Sequence, residues 1–163
     1  MADWTTSMQR GLVSGAASSV VSTVALGLLG RGEAGSAYAP TNAVSHWIWG
    51  DEAASHDGFS LKYTITGYAI HHLSATFWAV LFEHLVGHKL DRKDLRVTLA
   101  ASAATSALAC FADYKLTPQR LQPGYEKRLS KKSLAGVYAA FAVGLALGAI
   151  VLRRNRDAVA SSV

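Results

Sequence analysis

The sequence predicts an all-α, polytopic membrane protein: a four-transmembrane-helix bundle with a short interfacial helix between the first two spans. Three observations predict it. Four uncharged stretches, 11–30, 63–82, 97–112 and 134–152, divide the 163-residue chain, and nearly all its Asp, Glu, Lys and Arg lie between or beyond them. About 20 helical residues at about 1.5 Å each cross a hydrocarbon core of about 30 Å, so the stretches have spanning length. None carries the charged outer stripe expected of a helix in a soluble bundle. With their flanks the spans fall at about 11–30, 63–86, 97–114 and 133–152, in a single membrane domain covering 1–163.

The first span carries small residues at Gly11, Gly15, Ser18, Ser22 and Ala25, spaced alternately four and three apart, which forms one stripe along a helix. Small stripes let helix backbones approach closely, and that drives association in lipid. Arg10, the apolar run and Ala37-Tyr38-Ala39 together have the outline of a secretory signal, but the run is longer than a signal core and Pro40 follows the cut. It reads as a true first helix. In the loop 31–62, Thr41 serves as a cap, and Ala43, Val44, Trp47 and Ile48 make a short apolar stripe. Trp47 and Trp49 are interfacial anchors for a helix lying at the membrane surface.

The second span differs in kind, being bulky, aromatic and histidine-bearing. Tyr68, His72, Thr76, Ala79 and Glu83 share a face that should look inward, while Ile70, Leu73, Phe77 and Leu81 suit lipid. The third span is small on every side and reads as the interior helix, surrounded by the other three. It holds the only cysteine, Cys110, which excludes an intramolecular disulfide. The loop 113–132, with Pro118, Pro123 and Gly124, reads as a basic surface turn. The fourth span repeats the packing device at Gly136, Ala140, Gly144 and Gly148, each four apart. The stripes leave open whether the partner lies in the same chain or in a second copy.

The formal net charge is +5. The cations sit in short clusters beside hydrophobic ends, at 89–96, 127–132 and 153–156, as juxtamembrane anchors to anionic headgroups do. Nucleic acid is therefore not an expected partner; the lipid bilayer is. Lys and Arg are equally divided between the two sides of the four-span topology. The compact 89–96 loop and Arg153-Arg154 favour both termini in the cytoplasm, and the balance also suits dual insertion with an antiparallel dimer.

His71 and His72 lie about ten residues into the second span. Ionisable residues at that depth are costly and point to function. The up-and-down topology brings His46, His71, His72 and Asp113 toward one half of the membrane, and imidazole with carboxylate is a ligand set for a transition metal. The same histidines also suit neutral interhelical hydrogen bonding or a proton relay. Haem would need a second axial ligand, from His46 or another copy. Glu83, His84 and His88 form a second cluster, with His84 and His88 one turn apart as in a chelating pair. His72 and His84 are about 18 Å apart along the helix and cannot share a metal. No Gly-rich phosphate loop, Cys-x-x-Cys pair or nucleophile elbow is present.

The stretch from Asn42 to Glu52 (NAVSHWIWGDE), His71-His72 with Trp78 and Glu83, and the stretch from Asp113 to Pro118 (DYKLTP) resemble small uncharacterised four-helix inner-membrane proteins of bacteria. The resemblance implies the membrane class and a bacterial inner membrane, and no activity. The expected function is a non-enzymatic accessory subunit or self-associating scaffold, forming a homo-oligomer or part of a larger membrane complex. The alternatives are a metal- or haem-binding redox protein using the intramembrane histidines, and a small-solute or proton-coupled transporter working as a dimer.

Overall fold

Asp3 starts the first helix by accepting the backbone N–H of Thr6 at 2.9 Å, satisfying one of the donors a helix start leaves open. In the computed structural model, which describes residues 2–160 and side chains as far as residue 154, every regular element is helical. Arg156 of the basic C-terminal cluster lies outside the described side chains.

Helix α1 spans Trp4–Glu33, followed by the short α2 (Ala39–Val44) and α3 (His46–Trp49). Helix α4 covers Thr66–Leu90, α5 Leu95–Phe111 and α6 Lys131–Ala160. Asp94 caps α5 through the N–H groups of Arg96 and Val97. A π-helical turn leads into α4 at Leu61–Ile65, and another closes α5 at Ala112–Leu116, ahead of Pro118.

Three helical segments, Trp4–Glu33, Leu95–Leu116 and Lys131–Arg154, are long and apolar enough to cross a membrane. The sequence led us to expect four. Helix α4 has the length, but His71, His72, Glu83 and His84 lower its hydropathy below that of the others.

Small polar residues share the interior with an apolar core, and the outer sides are apolar. Ser7, Ser14, Ser18, Ser19, Ser22, Ser102 and Ser106 are buried, while Leu12, Val20, Leu28, Leu73, Phe77, Leu99, Leu108 and Leu147 are exposed. In water such continuous apolar sides would be an association surface; in lipid they match the solvent.

The small-residue stripes find their partners within the chain. A Cβ on Gly11 would lie 2.7 Å from the Cα of Val80, and one on Gly15 2.7 Å from that of Thr76, so α4 crosses here. Cβ atoms on Gly144 and Gly148 would lie 2.3 and 2.6 Å from the Cα atoms of Ser18 and Ser14. Helix α1 is thus clasped between α4 and α6 along most of its length. Gly136 is exposed and Ala140 half-buried, so the upper part of the α6 stripe takes little part.

Two expectations are corrected. The third span is not the interior helix: α5 buries one face only, through Thr98, Ser102, Ser106 and Ala109, and lies mainly against α6. Small residues allow close approach but do not say from how many sides it comes. The second concerns the short helix after the first span, which begins earlier than its expected cap. All six residues of α2 are buried, wedged against the start of α4, where a Cβ on Gly67 would meet the carbonyl of Thr41 at 2.0 Å. Thr41 is not its cap. Ser36 Oγ does that work, accepting the N–H groups of Tyr38 and Ala39.

Asn42 fixes the loop above. Its amide nitrogen donates to the carbonyls of His56 and Gly58, both at 2.9 Å, and its oxygen accepts from the Thr64 hydroxyl at 2.6 Å. On the same side, Glu33 at the end of α1 accepts the N–H and hydroxyl of Ser130 and the hydroxyl of Ser133 at the start of α6.

Candidate functional site

The four long helices meet differently at their two ends. Near the chain termini they are joined by charge. Glu83 is 0% and Arg153 5% exposed at the side chain, and the two form a bidentate pair at 2.9 and 3.2 Å. Arg153 Nε also donates to Asp91 at 3.1 Å, Asp91 accepts from Arg10 at 3.1 Å, and Ser14 donates to Glu83 at 3.2 Å. With Ala149 and Gly87 supplying carbonyls, every N–H of the Arg153 guanidinium has an acceptor. This network ties α1, α4 and α6 together, and Arg153 also lines a smaller cavity of about 240 Å³ with Leu90, Thr98 and Ala149.

The second predicted cluster is therefore dispersed. Glu83 belongs to this network. His84 stacks on Trp4 with ring centroids 3.8 Å apart and lies 3.4 Å from Ser7 Oγ. His88 is exposed.

At the other end the helices part. A cavity of about 600 Å³ lies between α4, α5 and α6, beneath α3 and the segment 117–125. Its walls are mainly apolar and aromatic, with Trp47, Ile70, Phe77, Trp78 and Phe141. Volume and lining fall in the range of small-molecule sites. Trp47 roofs it, pinned by an N–H to the carbonyl of Gln122 at 2.9 Å. Trp49 stands apart as an exposed anchor, bonded to Thr66 and overlain by Lys62 at 4.8 Å.

Besides Ser74 and Thr117, three hydrogen-bonded groups interrupt this lining. His71 Nε2 lies 2.8 Å from Ser22 Oγ, whose own proton goes to the carbonyl of Ser18 at 2.7 Å. Nε2 must then be the N–H, which assigns the tautomer and leaves Nδ1 an acceptor. The second group is Asp113, whose Oδ2 accepts the Tyr138 hydroxyl at 2.6 Å. The third is the phenol pair itself, Tyr125 donating to Tyr138 at 3.1 Å. Burial, and next the nearby Asp113, pushes the Tyr125 phenol well up, so it remains a donor. Tyr125 reaches this place because Gly124 turns with φ 94° against α2, where a Cβ would sit 2.5 Å from the carbonyl of Ala43.

The four residues expected to gather do so only in part. His71 and Asp113 line one cavity. His72 turns to α1 and bonds Ser19 at 2.7 Å. His46 is 4% exposed, with Nδ1 2.9 Å from the carbonyl of Ala43, and lines a separate polar pocket with Asp51 and Arg120. Among the described residues no three His, Cys, Asp or Glu side chains converge on a point that would hold a metal ion. Tyr125, Tyr138 and Trp78 escaped the sequence reading as site residues: Tyr138 and Trp78 lie in apolar runs, where aromatic residues read as core or as lipid contacts, and Tyr125 lies in a basic loop that read as a surface turn.

The fold and this cavity define a class: an all-helical protein with three helices of membrane-crossing length and apolarity, holding an aromatic cavity among its helices. No protein-family model, no curated protein and no solved structure matches the chain.

Proposed function

We propose that this is a small, non-enzymatic inner-membrane protein of bacteria that binds a lipid-soluble small molecule in the cavity between α4, α5 and α6, as the receptor or accessory subunit of a membrane complex. In this reading α4 is a fourth span: its Leu73, Phe77 and Leu85 are exposed like the side chains of the other spans, and its polar groups face α1 and α6. The inner-membrane assignment rests on the sequence resemblance. The observation that carries the function is the cavity itself. Along α1, small residues bring the backbones of α4 and α6 into contact; between α4, α5 and α6 about 600 Å³ is left open, with aromatic rings in its lining.

The scaffold alternative loses its main support, because Gly144 and Gly148 are occupied by α1 of the same chain. A transporter working through Glu83 is not favoured either, since that carboxylate is committed to Arg153. The test is mass spectrometry of small molecules retained by protein purified in mild detergent, beside Ser74→Phe, which places a ring in the cavity. A stoichiometric apolar ligand, absent from the folded Ser74→Phe variant, is expected. Equal retention by both proteins would contradict the proposal.

A further inference from the structure

Within the long helices and at their ends, this chain pairs its acids carefully. Glu83 has Arg153, Asp91 has Arg10 and Arg153, and Glu33 has three donors at the start of α6. Asp113 has fewer partners than these three. It stands on the cavity wall at the end of α5, and among the described residues it has no ion pair; its one protein partner is the Tyr138 hydroxyl, on Oδ2. The other oxygen takes no hydrogen bond from the described protein. Asp113 is half-buried, and an ionised carboxylate partly withdrawn from water with a single neutral donor is stabilised by a cation beside it.

The surroundings suit a cation better than a second polar donor. Trp47, Trp78, Phe77 and Phe141 line the same cavity as Asp113, and aromatic rings attract cations as well as apolar groups. Among the cavity's other polar groups, His71 keeps Nδ1 as an acceptor where Ser22 donates to Ser18, and an acceptor favours an N–H donor. No Lys or Arg lines the cavity to compete for Asp113.

Resting on the binding reading above, we propose that the occupant is a lipid-soluble cation, a hydrophobic amine or quaternary onium ion, held with its charge at Asp113 and its apolar groups among the aromatic rings. The test is fluorescence of the two cavity tryptophans in protein whose Trp4 and Trp49 are replaced by phenylalanine. It is titrated in detergent with tetraphenylphosphonium, with tetraphenylborate of like shape and opposite charge, and with a brominated acyl chain as a neutral probe.

The phosphonium is expected to bind, and Asp113→Asn to weaken it by about tenfold or more, as loss of a desolvated charge partner does, without weakening the borate. Should Asp113→Asn fail to fold, Tyr138→Phe frees Oδ2 and is expected to tighten the phosphonium. Phosphonium binding that neither variant changes, or borate bound as well as phosphonium, overturns the cation assignment. If the brominated chain still quenches in that case, the cavity reading survives alone. If no probe reaches the two tryptophans, both fall.

Discussion

Arg153 and Asp113 show opposite treatments of charge inside this chain. Arg153 uses each of its N–H groups, and its partner Glu83 has no exposure at all. Removing one member of a buried pair strands the other, so Arg153→Ala or Glu83→Ala is expected to cost about 3–5 kcal/mol. Replacing the two together with Met and Leu should recover most of that, and denaturation in detergent measures both. Asn42→Ala strips partners from two loop carbonyls and the Thr64 hydroxyl; at about 1–3 kcal/mol for each group left unsatisfied in the interior, limited proteolysis should cut 56–60 far faster. The sequence made the inward direction of His72 and Glu83 legible, because helical spacing alone places them on one face. It hid Arg153, which sits among basic residues that read as a headgroup anchor and meets a partner 70 residues away. It also hid Asn42, since one asparagine in a polar loop belongs to no pattern.

At the scale of elements, the glycine stripes were legible as packing faces, and their partner was not. Spacing fixes which side of a helix admits a backbone; it carries no record of whose backbone arrives. With α6 seated on α1 at 2.3 Å from an added Cβ, Gly144→Leu must force the two helices apart. The loss is expected to exceed the roughly 1–3 kcal/mol of ordinary overpacking, and to be independent of protein concentration. Dissociation of an oligomer with the monomer still folded would contradict this.

The loops are held by exposed ion pairs, and these depend on pH. Lys127, through its hydrogen bond and then its charge, lowers the pKa of Asp51 from its ordinary 3.8. Hydrogen bonds from Lys62 and then Tyr63 lower that of Glu52 from 4.5. A carboxylate lowered on folding contributes stability above its ordinary pKa and loses it as pH falls through the folded value. The ties of 51–52 to 62–63 and 127 should therefore be unchanged between pH 5 and 8 and loosen below about pH 4. Hydrogen exchange in 51–52 that rises already near pH 6 would contradict that assignment.

Across the whole molecule, serines sit inside beside an apolar core while leucines and valines face outward without a charged stripe, and the uncharged length of the spans made that apolar outside legible in the sequence. The cavity was not readable. Its walls come from α1, α4, α5, α6 and the two caps above them, and no stretch of sequence contains more than a part of it. The misplaced α5 had the same origin, because a thin helix fits the centre of a bundle and its edge equally well. The central claim is that this space receives a lipid-soluble molecule. The most direct measurement is quenching of Trp47 and Trp78, in protein without Trp4 and Trp49, by a brominated acyl chain, with and without Ser74→Phe. The account predicts saturable quenching that Ser74→Phe abolishes while the fold is kept. Quenching that is unsaturable and identical in the two proteins would mean that the rings meet only bulk lipid, and would contradict it.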